Sequence, residues 1–244
     1  MTTAADDATL HAAVEAARRL ELALHYAGIS FELEGGTAPR SCRLRLSPSA
    51  VHPWTLGDVQ GHLLLDGIIA EAVRIEQPLP CPGLELLITL PSAQDVRALG
   101  RLVEACLTEV QSAALQLHRA LARAGIERRP GVATVGDRPR IDIGMLSTEE
   151  ALLLFRGLGG GEPTLHDLDL GDWHDHERFV RELQRVLTAT GQVLLVESVP
   201  TCGHCRVRHG GNRIRLDYLD ADDALVLATE LCRVSAPRLS RTLL

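Results

Sequence analysis

Cys202, His204, Cys205 and His209 fall within eight residues, in the string Cys-Gly-His-Cys-Arg-Val-Arg-His. Two thiolates separated by two residues can close on one tetrahedral zinc ion, and an imidazole four residues further on adds a third donor. The fourth ligand would come from His204, from a distant cysteine, or from His174 and His176 in the acidic, histidine-rich stretch from His166 to Glu177. If that stretch is a short strand, His174 and His176 share one face. Cys202, Cys205, His209, His174 and His176 are therefore the candidate zinc ligands. The acidic stretch does not match the spacing or the closing glutamate of an EF-hand. The plainer account leaves the two cysteines as ordinary thiols in a turn, with Asp175 or Glu177 favouring the N-terminus of the next helix.

The elements that must position these groups form a predicted hairpin. Val193–Val196 is a short apolar run with a β-branched residue at each end that reads as a buried strand, and Pro200 ends it because proline donates no ladder hydrogen bond. After the Gly210-Gly211-Asn212 turn cluster, Ile214, Leu216 and Tyr218 alternate with Arg213, Arg215 and Asp217, the period-two pattern of a strand with one apolar face. Asp220 is then placed to cap a final helix.

Locally, the strand, Pro200 and Cys202-Gly203-His204-Cys205-Arg206 resemble the active-site signature of the thioredoxin and protein disulfide isomerase family. The resemblance covers about fourteen residues and implies thiol–disulfide exchange. It departs where the family has tryptophan before the first cysteine, here Thr201. It departs again where the family starts a helix and this chain places Gly210-Gly211 and an alternating strand.

Other clusters have structural readings. Arg206, Arg208, His209, Arg213 and Arg215 form a local basic group, but no aromatic residues interleave with them as nucleic-acid stacking requires. The glycines from Gly157 to Gly161 follow a predicted helix rather than a strand, so they fit a helix end and hinge better than a phosphate cradle. Ser147-Thr148-Glu149-Glu150 reads as a capping box.

Along the chain, apolar periodicity predicts a helix over residues 7–27 ended by Gly28, strands at 29–33 and 43–46, and a helix from Leu56 fading toward Val73. Strands follow at 73–77 and 84–90. A single long helix is expected from Ser92 to Ala124. Beyond it come strands near 132–135 and 140–143, the capped helix, a helix through Phe179 and Leu187, the hairpin, and a last helix over Ala224–Leu231. Four stretches repeat, among them Ile75–Cys81, which resembles Val196–Cys202. Ala27-Gly28-Ile29 and Arg43–Leu46 match Ala124-Gly125-Ile126 and Arg140–Ile143, while Gln94–Cys106 matches Asp220–Cys232. The expectation is an α+β protein of two similar α-β-β-α-β-β-α halves, with mainly antiparallel sheets and helices packed on one face. The halves would span 1–106 and 107–244 and share the long helix. The second alone would carry the inserted loop 159–178 and the Cys/His hairpin 199–212.

Composition bounds the function. A net charge of −7 argues against a general nucleic-acid binder. All 25 basic residues are arginine, as the codon bias of a GC-rich genome would give, so Schiff-base and P-loop lysine chemistry are excluded. The acidic N-terminus is no signal peptide, and no run approaches the roughly 18 apolar residues of a membrane span, so a cytoplasmic protein with reduced cysteines is expected. With no catalytic constellation, the first functional expectation is a non-enzymatic partner-binding or regulatory protein, whose partner is another protein or a second copy. The alternative is a zinc protein built on the hairpin.

Overall fold

Helix ends repeat one device through this chain. Gly28, Gly67, Gly125 and Gly159 all take positive φ, which a side chain would resist. At each, the residue after the glycine bonds back five residues into the helix: Ile29 to Leu24, Ile68 to Leu63, Ile126 to Leu121 and Gly160 to Phe155. In the first three, the isoleucine that follows packs into a core.

The computed structural model describes residues 4–35, 42–47, 56–76, 84–161, 167–191, 194–199 and 212–235. The chain divides into two compact units, Met1–Thr108 and Glu109–Leu244. Each is α+β with antiparallel strand pairing.

The first unit runs α1 (Ala4–Tyr26), β1 (Ser30–Gly35), β2 (Cys42–Ser47), α2 (Leu56–Leu65), β3 (Glu71–Glu76), β4 (Leu84–Leu90) and α3 (Ala93–Ala105). Its four strands lie in the order β1-β2-β4-β3. Alternation along β2 buries Cys42, Leu44 and Leu46. These meet Ile88 and Leu90 of β4, Leu20 and Leu24 of α1, and Val96 and Leu99 of α3 in one core. A two-pronged ion pair ties α1 to α3, with Arg19 Nε 2.7 Å from Glu104 Oε1.

The second unit runs α4 (Glu109–Arg123), β5 (Gly131–Val135), β6 (Arg138–Asp142), β7 (Met145–Ser147), α5 (Thr148–Gly157), α6 (Trp173–Ala189), β8 (Val196–Val199), β9 (Arg213–Leu216) and α7 (Ala221–Ser235). β5 pairs with β6, and a second sheet has the order β7-β9-β8. The Ile141–Leu219 bridge keeps the register of the Met145–Arg215 pair, four residues along on each strand. β6 and β7 thus follow one line beside β9. Leu117, Leu121, Ile141, Phe155, Phe179, Leu183, Ile214 and Leu227 form the interior, and the Phe155 and Phe179 rings meet edge to face at 5.8 Å.

The single helix expected from Ser92 to Ala124 is two helices. α3 stops at Cys106, whose N–H bonds back to Val103, and α4 starts at Glu109. Apolar spacing carries through the break because both helices are amphipathic. The overlooked stop signal is Thr108-Glu109-Val110-Gln111, a pattern suited to a new N-terminus. No helix is therefore shared between the units. The helix from Leu56 likewise ends at Leu65 rather than fading toward Val73, because Gly67 closes it. The repeated cysteines fall out of step as well: Ser92 caps α3 and Asp220 caps α7, yet Cys106 lies fourteen residues beyond its cap and Cys232 twelve beyond its own. Among the described residues no helix is long and apolar enough to cross a membrane.

Candidate metal centre

The hairpin forms. β8 and β9 pair antiparallel from Val196–Leu216 to Val199–Arg213, so the chain between them leaves and returns at one end of the sheet. Cys202, His204, Cys205 and His209, with Arg206 and Arg208, lie in that intervening stretch, outside the described residues. Of the thioredoxin-like signature, the described part is a strand followed by its own hairpin partner. Arg213 and Arg215 alternate with buried Ile214 and Leu216, and the Arg215 guanidinium lies 5.6 Å from the centre of the Tyr218 ring.

His174 and His176 are not on a strand. They occupy the first turn of α6, whose N-cap Asp172 accepts from the His174 and Asp175 N–H groups at 2.9 and 3.3 Å. Residues two apart on a helix diverge by roughly 200° around its axis. His174 accordingly faces solvent while His176 is fully buried. The strand expectation failed because alternating acidic and histidine residues look alike as a strand or as a capped helix start, and the Asp172 cap decides between them. Asp175 keeps the helix-start role: the Asp169 N–H and the Arg178 guanidinium hold its carboxyl below the usual range.

His176 is the most informative side chain in the unit. Its Nδ1 lies 3.0 Å from the hydroxyl of Ser198 on β8. Its Nε2 is buried and has no hydrogen-bond partner among the described residues. The ring stacks on Trp173, with centroids 6.2 Å apart. Burial pushes its pKa down, against the pull of Glu177, which favours the neutral imidazole. A neutral ring with one nitrogen held and the other unengaged is the form in which histidine binds a metal.

What brings His176 to β8 is a second contact that sequence reasoning did not find. The Gln184 side chain accepts from the Val196 N–H at 2.8 Å and donates to the Leu194 carbonyl. The Leu195 carbonyl is taken by Asp217, so Leu194 and Val196 present their backbone groups on the outer edge. From His176 to Gln184 a helix rises about 12 Å, and from Leu194 to Ser198 a strand extends about 13 Å. α6 thus lies along the open edge of β8, pinned at both ends. In the first unit Gln60 of α2 reaches the Ala72 carbonyl of β3 in the same manner, at 3.4 Å. A glutamine on an amphipathic helix carries no sequence signal for this role.

Among the described residues no three His, Cys, Asp or Glu side chains gather closely enough to hold a metal ion. Cys42, Cys106 and Cys232 are free thiols. Cys232 accepts from Arg123 at 3.1 Å, and burial pushes the Cys42 thiol pKa up. The glycine run closes α5 as a helix end, and Gly160 is fixed there by the Phe155 ring, which a Cβ would overlap. No protein-family model, curated protein or solved structure matches the chain.

Proposed function

We propose that this protein binds a structural zinc ion through Cys202, Cys205, His209 and His176, and that the metal ties the hairpin to α6. One observation carries the reading: a fully buried imidazole with one nitrogen held by Ser198 and the other unpartnered among the described residues. Buried ring nitrogens without partners are rare enough that each calls for a ligand, an ion or a water. Cys202 stands four residues beyond Ser198 on the same chain, within easy reach. Two thiolates and two neutral imidazoles cancel the charge of the ion, and four protein donors leave no open position for catalysis. His174, on the opposite side of α6, is outside this set.

Zinc content by elemental analysis tests the reading. One zinc per chain is expected, falling to background in Cys202→Ser and to a small fraction in His176→Gln. A folded, metal-free chain from zinc-replete medium sinks the idea, and full occupancy in His176→Gln removes His176 from it. In the same reading the two units are copies of one α-β-β-α-β-β-α scaffold, with β7 and α5, rather than the loop expected at 159–178, added in the second. The element order, the Ile141–Leu219 bridge that sets β6 beside the β9 chain, and the glutamine bonds to the β3 and β8 edges support this, and only the second copy carries the ligands.

A second reading, docking of a protein partner, is favoured by the end of α2. Leu64, Leu65 and Ile69 are 80%, 84% and 70% exposed, beside Val73 on outer strand β3. Exposed Asp66 and Glu71 stand among these residues in sequence, and a second copy of a chain with net charge −7 would be repelled. The partner is accordingly a different protein with an apolar ridge between basic groups. Its binding is expected to weaken with salt and to vanish in Leu64→Glu/Leu65→Glu. Salt-independent capture, or capture unchanged in that variant, refutes it.

A further inference from the structure

We propose that the cavity at the C-terminal ends of α5, α6 and α7 binds a small zwitterion of the α-amino acid class. The cavity has a volume of about 330 Å³ and lies wholly within the second unit. Arg185 of α6 and Arg233 of α7 line it. Each is held by the glutamate three residues before it, Arg185 Nε by Glu182 at 2.9 Å and Arg233 Nε by Glu230 at 2.8 Å. Nη2 of each joins the same carboxylate. Two guanidinium-bearing side chains from different helices thus line one space, each with its Nε and Nη2 on its own glutamate. Guanidinium pairs of this kind suit a carboxylate.

The opposite charge is also present. Two helices end at the lining, at Gly157 and Ala189, and each end carries about half a negative charge. Glu230 adds a carboxylate to the lining. A simple anion would meet the helix ends and a simple cation would meet the two arginines. A ligand with both charges satisfies both. Gly159–Gly161 put no side chain into the space: Gly159 has φ of 84°, and the Phe155 ring occupies the Cβ position of Gly160. A ligand can therefore come close to the backbone, with Val186 and Ala189 supplying a short apolar wall. The site shares no residue with the zinc reading and stands without it.

The test is amide-shift titration of the full chain as purified, using L-valine, N-acetyl-L-valine, L-valinamide and inorganic phosphate. Saturable shifts confined to the amides of Gly159–Gly161, Ala189 and Thr190 are expected with L-valine. Each blocked form should bind several-fold more weakly. Arg185→Ala/Arg233→Ala should lower affinity about tenfold, two exposed charge contacts' worth, with an unchanged melting temperature. Absence of saturable shifts overturns the proposal. So does phosphate or N-acetyl-L-valine binding as well as L-valine, or a double variant that binds like the parent.

Discussion

Replacing Gln184 with alanine should loosen the strand on which the candidate centre stands without disturbing the core. The side-chain amide makes two bonds to the outer edge of β8, to the Leu194 carbonyl and the Val196 N–H. Each intramolecular bond is worth about 1 kcal/mol net. Gln184 is only half-buried, so water replaces part of what is lost. The expected cost is therefore about 2 kcal/mol rather than the larger penalty of buried orphan groups. With a urea dependence of ~2 kcal/mol/M, the midpoint falls by roughly 1 M. Amide exchange localises the effect. Val196 should lose protection, while Glu197, whose N–H faces β9, keeps it. Gln184→Glu preserves an acceptor for Val196 but sets a carboxylate against the Leu194 carbonyl, and should destabilise at least as much. If Gln184→Ala moves stability by less than ~0.5 kcal/mol and leaves Val196 exchange unchanged, α6 does not pin the strand, and the route that presents His176 to the hairpin fails.

Gly160→Ala should cost about 2–3 kcal/mol, because its Cβ overlaps a fully buried Phe155 ring packed against Phe179. Gly157→Ala, whose Cβ would crowd the far end of Leu231 at 2.9 Å and touch the Ala124 Cβ at an ordinary 3.6 Å, should cost far less, and equal melting temperatures would contradict this contrast. Glu150 gives a pH signature. Burial works to raise its pKa, but the Arg128 guanidinium, with Nε at 2.6 Å, and the Ser147 N–H outweigh that and hold it below the usual carboxylate value. Its contribution is present above the unfolded glutamate pKa of about 4.3 and is lost as pH falls through the lower folded value. Acid unfolding of Glu150→Gln should thus be shallower below about pH 4.5 than that of the parent, and parallel curves would remove Glu150 from the acid transition.

Much of the local structure was legible. Ser92, Ser147 and Asp220 cap helices where their residue types suggested, with the Ser147–Glu150 box closed from both sides. β4 spans Leu84–Leu90 as its bounding prolines implied. The alternation of Ile214 and Leu216 with Arg213 and Arg215 set one face of β9 into the core. These features depend on neighbours a few residues away. Period and cap type, which a linear string contains, therefore decide them. The break at Cys106–Glu109 was less visible because two amphipathic helices in succession keep the same apolar rhythm across it.

What the chain alone determined is an α+β protein with antiparallel hairpins and helices ended by glycine, along with the placing of a Cys/His string between two strands. Which groups meet was decided only in three dimensions. His174 and His176 are equivalent as sequence, yet the Asp172 cap and the turn of α6 send one to solvent and bury the other beside Ser198. Gln184 is an ordinary surface residue by type, yet it completes the backbone bonding of a strand ten residues later. Such contacts join side chains whose positions follow from helix phase and strand register together, and neither can be read from residue identity alone.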